Sequence, residues 1–223
     1  MNPRAESAPP LWRQLQLVAQ AVQGVREGRS LSAQLEQVEP ALRPGVQALS
    51  FHALRWLGTA EVLRRALARR APPPAVDALL CTALALAQPE PDALYEPFTL
   101  VNQTVEAARR QPALRVQSAF INACLRRFLR ERAALMATAL QDPVARWNHP
   151  RWWVERLKRD HPGHWQAILA AAQQPAPMDL RVNLQRTSVE AFSADLARHG
   201  LQADVLGGAA VRLHKPLPVQ ALP

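Results

Sequence analysis

Apolar residues recur every three or four positions through most of the chain. Leu11, Leu15, Val18, Val22 and Val25 share one helical face, and Gly28 closes that helix. "SLSAQLEQV" predicts a shorter helix behind it. Val46, Leu49, Ala53, Trp56, Leu57, Ala60, Leu63 and Leu67 predict one long helix from about Pro44 to Arg70, ended by the prolines at 72–74. "AVDALLCTALALA" is apolar nearly all round, as a central helix must be. The prolines of "QPEPDALYEP" predict a loop, "FTLVNQTVEAARR" is helical again, and one more helix should run from roughly Leu114 to Leu140. The first ten residues read as a loose tail. No strand pattern occurs before residue 140, so residues 1–140 read as an all-helical domain of six or seven helices.

The pattern then changes. "DPVARWNHPRWW" reads as a linker into the helix "PRWWVERLKRD", with Pro150 suited to its first turn. "HPG" interrupts, and "HWQAILAAAQQ" resumes. Residues 141–174 thus form a tryptophan-rich helical linker. Beyond Pro177 the period drops to two. Met178, Leu180, Val182 and Leu184 alternate with Asp179, Arg181 and Asn183, which predicts a half-buried strand. "TSVE" fits a capping box with Thr187 as cap and Glu190 reaching back. The helix it opens should stop at Gly200. Two short strands follow in "LQADVLG" and "AAVRLHK", joined at Gly207 and Gly208. The fold class is therefore mainly α, with a small α+β unit (β-α-β-β) over 175–223. A helix and three strands bury little alone. That unit is expected to be incomplete and to expose apolar surface.

Charge sharpens this picture. The 223 residues carry a net charge of +9, almost all of the basic residues being arginine. A polyanionic partner fits that balance, and so does a compositional bias toward Arg, Ala and Pro. The segment "SAFINACLRRFLRE" helps to decide between them. On a helical wheel of about 100° per residue, Phe120, Ile121, Cys124, Leu125, Phe128 and Leu129 fill one half. Arg115, Arg126, Arg127 and Arg130 fill the other with no acid between them, and Arg109 and Arg110 lie just upstream. Solvated helix faces usually alternate sign. An unbroken run of arginines favours contact with phosphates, which positions a nucleic acid without reading its sequence.

Other candidates carry less. Asn102 and Asn122 fall near apolar arcs, which favours polar bridges between helices over contact with RNA. Trp147, Trp152, Trp153 and Trp165 cluster in the linker, where packing is favoured over base stacking. Cys81 and Cys124 sit in apolar helical runs and read as buried free thiols. His149, His161 and His164 lack ligand spacing, so no metal is expected. There is no glycine-rich phosphate loop, no apolar run long enough for a membrane span, and no secretory signal pattern, so a cytoplasmic location is expected. These residues describe a binding module without chemistry of its own.

"SAFINACLRRFLRE" and "PFTLVNQTVEAAR" resemble the paired helices of NusB-like RNA-binding domains. The tail, "NHPRWWVERLKRDHPGHWQAILAAAQQPAPMDLRVNLQRTS" with "AVRLHKPLPVQALP", resembles the linker and N1 subdomain of the RsmB (Sun/Fmu) family of bacterial 16S rRNA 5-methylcytosine methyltransferases. The resemblance covers nearly the whole chain, weakly in the first helices and well in the second half. It implies a NusB-like domain that holds 16S rRNA, and a catalytic methyltransferase domain that would follow and dock against this chain. S-adenosylmethionine would serve that domain, and no cofactor is expected in this chain. Cys81 and Cys124 match neither catalytic cysteine of the family. Gln103 and Ala119 depart from the family's frequent Glu and Gly. The RNA contacts implied are Arg109, Arg110, Arg115, Arg126, Arg127 and Arg130, with Arg126 and Arg127 foremost. The alternative is a stand-alone NusB-like antitermination factor that regulates transcription, against which the β-α-β-β unit speaks.

Overall fold

The computed structural model describes residues 9–87 and 94–223. Residues 1–8 of the tail expected over the first ten residues, and most of the loop expected at 88–97, lie outside the described residues. The chain forms two compact units, Met1–Gln173 and Gln174–Pro223. It is mainly helical, with one small three-stranded antiparallel sheet.

The first unit contains twelve helices among its described residues. They are α1 (Leu11–Arg26), α2 (Leu31–Glu36), α3 (Arg43–Arg55), α4 (Leu57–Leu67), α5 (Pro74–Leu86), α6 (Pro97–Arg110), α7 (Pro112–Arg115), α8 (Ser118–Arg130), α9 (Arg132–Ala139), α10 (Pro143–Trp147), α11 (Arg151–Asp160) and α12 (Trp165–Ala172). The largely apolar α5 is the axis, buried at Val76 and from Ala78 to Leu86 and packed by α1, α3, α4, α6 and α8. Beside it, Arg26 lies 2.6 Å from Glu61 and 2.8 Å from Asp77. Arg64 Nε also lies 2.7 Å from an Asp77 oxygen, in an ion pair that is off the hydrogen-bonding direction. Burial works against the charge of Arg26, but Cys81, Glu61 and Asp77 outweigh it and raise its pKa.

Among the described residues nine helices lie before residue 140 where six or seven were expected, because two long helices are broken. The first, expected over 44–70, ends at Trp56 and restarts as α4. The cause is 89 residues away. The Thr59 N–H, in the first turn of α4, donates to Asn148 Oδ1 at 2.8 Å, and Thr59 Oγ1 donates to the Ala145 carbonyl at 2.7 Å. A helix running unbroken through Trp56 would occupy that N–H internally. Gly58 permits the approach, since a Cβ there would meet the Val144 carbonyl oxygen at 2.6 Å. Asn148 itself is left-handed (φ 50°), a conformation asparagine tolerates.

The second expected helix, 114–140, divides into α7, α8 and α9. At the α8–α9 break, Arg132 donates to the Ala87 carbonyl at the C-terminal end of α5. A cation there answers both an orphan carbonyl and the helix dipole.

The second unit follows the expected β-α-β-β order: β1 (Met178–Arg181), α13 (Val189–Arg198), β2 (Ala203–Gly207) and β3 (Ala210–Leu213), then a 3-10 turn at Val219–Ala221. The spatial order is β1-β3-β2, all antiparallel. Val182, Val189, Leu196, Val211 and Leu213 form its core. β1 is shorter than expected, because Asn183 starts a turn: its Oδ1 accepts from the Gln185 N–H at 3.1 Å. Leu184 is therefore exposed, not on the strand. The cap of α13 is Ser188, not Thr187; Ser188 Oγ accepts from the Ala191 N–H at 3.1 Å. Gly207 (φ 112°) and Gly208 (φ 55°) make the turn between β2 and β3. Leu184, Val205, Leu206 and Val219 leave apolar surface exposed on this unit.

Candidate nucleic-acid interface

The arginine face is built by burying its opposite. Ile121, Cys124, Leu125 and Phe128 of α8 point into the core, and α6 packs alongside. Arg126, Arg127 and Arg130 are left facing solvent on α8, while Arg109 and Arg110 occupy the last turn of α6 and Arg115 ends α7.

The six arginines are not equivalent. Arg109, Arg110 and Arg126 line a shallow cleft of about 510 Å³ shared by α1, α6 and α8. Arg110 is fixed there by Glu106 and stacks 4.5 Å from the centroid of the Trp12 ring. Arg126 donates to Asn122 Oδ1 at 3.1 Å. Neither Arg109 nor Arg126 has a carboxylate partner among the described residues. Arg115 donates to the Arg109 carbonyl at 3.1 Å and so stands beside the cleft. Arg127 and Arg130 instead share Glu131, at 2.9 and 3.7 Å. The expectation of an acid-free face thus fails at its C-terminal end, because Glu131, just past α8, lies four residues from Arg127.

Two asparagines are corrected as well. Asn102 is exposed, and Asn122 is half-buried and bound to Arg126; both line the cleft and neither bridges buried helix faces. The bridge between helices is made by glutamines. Gln103 Oε1 accepts from the Trp12 backbone N–H at 3.1 Å, an orphan donor of the first turn of α1, and Gln16 donates to the Ala107 carbonyl at 2.8 Å. The signal for Asn102 was its spacing: Asn102, Glu106 and Arg109 fall at i, i+4 and i+7, one polar stripe along α6. Nothing in sequence spacing pointed to Trp12, which arrives from α1.

The tryptophan cluster divides. Trp147 and Trp165 meet edge to face at 5.2 Å and pack on Val154, Leu157 and Leu169. Trp152 and Trp153 also meet edge to face, at 5.6 Å, but are 68% and 38% exposed. Packing therefore accounts for only half of the cluster.

Both cysteines are buried and free. Burial, reinforced by the Asp77 charge, pushes the Cys81 thiol up to about 12. Burial also raises Cys124, against the opposing pull of Arg127. Neither thiol is poised as a nucleophile. His149 Nδ1 lies 2.6 Å from the Trp147 carbonyl. No group of side chains suited to a metal ion occurs among the described residues, and no helix there is long and apolar enough to cross a membrane.

Residues 149–220 match the family model of the ferredoxin-like domain of RsmF/B-like methyltransferases. The chain is 34% identical over 210 residues to ribosomal RNA small subunit methyltransferase B of Pseudomonas putida, covering 91% of this chain and 45% of that protein. It is 36% identical over 129 residues to the probable ribosomal RNA small subunit methyltransferase B of Coxiella burnetii, covering 56% of this chain and 29% of that protein. The Escherichia coli protein of the same name is 38% identical over 133 residues. The chain thus spans less than half the length of these relatives. Among solved structures, the crystal structure of PH0851 superposes with a TM-score of 0.59 at 12% identity, over 96% of this chain and 50% of that one. This is a likeness of fold alone.

Proposed function

We propose, starting from the similarity to ribosomal RNA small subunit methyltransferase B over 91% of the chain, that this polypeptide supplies the rRNA-holding part of such an enzyme. In this reading residues 1–140 are a NusB-like RNA-binding domain, 141–174 a helical linker, and 175–223 the N1 subdomain. The observation that supports it best is the cleft. Arg109 and Arg126 present guanidinium groups without carboxylate partners beside two exposed or half-exposed amides. Guanidinium groups fix phosphates, and amides offer paired donors and acceptors to base edges. 16S rRNA is the proposed partner. The exposed apolar side chains Leu184, Val205, Leu206 and Val219 of the second unit are the proposed contact for a catalytic methyltransferase domain. The match of residues 149–220 to a methyltransferase-associated domain favours this reading over an antitermination factor.

S-adenosylmethionine, which methyltransferases of this kind use as methyl donor, finds no fitting site in the described residues. The only adjacent glycines, Gly207 and Gly208, turn the β2–β3 hairpin and do not lead from a strand into a helix. The sheet is antiparallel and offers no strand-to-helix phosphate loop. No catalytic step is assigned to this chain.

The test is fluorescence anisotropy of the whole chain with a labelled 16S rRNA fragment at a series of salt concentrations. The expected result is affinity that falls steeply with salt. Absent or salt-insensitive binding would make the positive charge compositional.

A further inference from the structure

The outer face of α11 has no role in the reading above. Its buried side is Val154 and Leu157. At about 100° per residue, Trp152 lies close to diametrically opposite those two. A tryptophan at the rim of a buried face tilts inward and covers the core. Trp152 instead stands in the middle of the solvent face and is 68% exposed. The first unit's own packing gives it nothing to cover.

Its neighbours give the site a chemistry. Trp153 braces Trp152 edge-on, with ring planes at 71°, which leaves a flat indole face open. Arg156 and Arg159, four and seven residues on, flank that ring and are 59% and 69% exposed. Both donate to one carboxylate, Asp160, which orients two guanidinium groups while neutralising one charge. Together with Glu155, Leu157 and His161 these side chains border a hollow of about 410 Å³. Arg151, 68% exposed and 3.9 Å from Asp142, and Lys158 bring the helix to four cations against its two carboxylates, Glu155 and Asp160. The hollow itself is balanced, two guanidinium groups against two carboxylates, and the positive excess belongs to the helix as a whole; an exposed indole on such a helix suits a ligand that is planar and anionic at once. A nucleotide has both properties.

We propose that Trp152, braced by Trp153 and flanked by Arg156 and Arg159, is a stacking platform for an unpaired base of single-stranded RNA, a second contact separate from the α6–α8 cleft. It rests on the RNA-binding reading and extends it: the substrate must present an unpaired segment as well as phosphates. The base lies on the indole, which supplies most of the affinity, while the two arginines, compensated by Asp160 as Arg127 and Arg130 are by Glu131, meet the flanking phosphates weakly.

The experiment compares the full chain with Trp152→Ala and Trp152→Phe, using two probes of equal charge. One is a uridylate oligonucleotide of about 12 residues, and the other is its abasic counterpart. Trp152→Ala should weaken binding of the base-bearing probe about tenfold or more, leaving the abasic probe and the salt dependence unchanged. Trp152→Phe should recover most of the loss. Circular dichroism of both variants should match the parent, because this ring covers no core. Equal affinity of parent and Trp152→Ala for the uridylate probe overturns the platform. If Trp152→Ala leaves RNA binding intact but weakens association with another protein, the face is a protein contact, and the proposal is wrong. An Arg109→Ala/Arg126→Ala variant separates the two readings: its loss on both probes, with no effect of Trp152→Ala, spares the cleft and removes only the platform. A parent chain that binds neither probe removes both.

Discussion

Arg126 donates to an amide, and Arg127, the next residue, donates to a carboxylate. One faces the cleft with Asn102, Asn122 and Arg109; the other shares Glu131 with Arg130. The two groups have the same side chain on the same helix and similar exposure to solvent. They differ in what an arriving anion must displace. At the cleft it replaces water and one neutral hydrogen bond. At the Glu131 end it competes with a charge already in place. A count of arginines treats these as one face, and the structure divides it by counter-charge.

The largest perturbation removes what the two groups share. Phe128→Ala deletes a fully buried ring beneath α8 and should cost about 3–5 kcal/mol of stability, read by urea unfolding, with both groups lost from their positions. Next comes the cleft itself. Arg109→Ala/Arg126→Ala should lower RNA affinity by about tenfold or more and flatten the salt dependence by about 1.5 in log–log slope, with thermal unfolding unchanged. The matching pair Arg127→Ala/Arg130→Ala should lower affinity by less than about fivefold, since each cation is already partly compensated. Equal losses from the two pairs would erase the distinction. The smallest change sharpens it: Glu131→Gln leaves Arg127 and Arg130 unpaired and should raise RNA affinity about two- to fivefold, at a stability change within about 0.5 kcal/mol.

What could be read from the sequence divides along the same physical line. Local periodicity identified the buried α5, the amphipathic α8 and the β-α-β-β order of the second unit, because each depends on neighbours a few residues away. The helix breaks at Trp56 and Glu131 depend on partners far along the chain, Asn148 and Ala87, and no local pattern carries them. By spacing, Phe98 marks an apolar side four residues before Asn102, but Phe98 is 67% exposed and that side of α6 faces solvent. Ser188 and Thr187 are equally good caps in isolation, and only backbone geometry selects between them. Clustering of the tryptophans was visible, but its division into a packed pair and an exposed pair was not, since Trp147 and Trp165 are far apart in sequence and meet only where α12 turns back on α11.

The Thr59–Asn148 bond also sets a timetable. While the chain is being synthesised, the first turn of α4 waits for a partner 89 residues downstream. At translation speeds of about 5–20 residues per second that interval is roughly 4–18 seconds, far longer than a helix needs to form. During it, residues 43–67 are free to run on as the single uninterrupted helix their own pattern favours. The kink at Trp56 is then a late event, imposed when Asn148 emerges and takes the Thr59 amide. A ribosome paused short of that codon would hold a nascent chain whose helices are straighter than those of the finished protein.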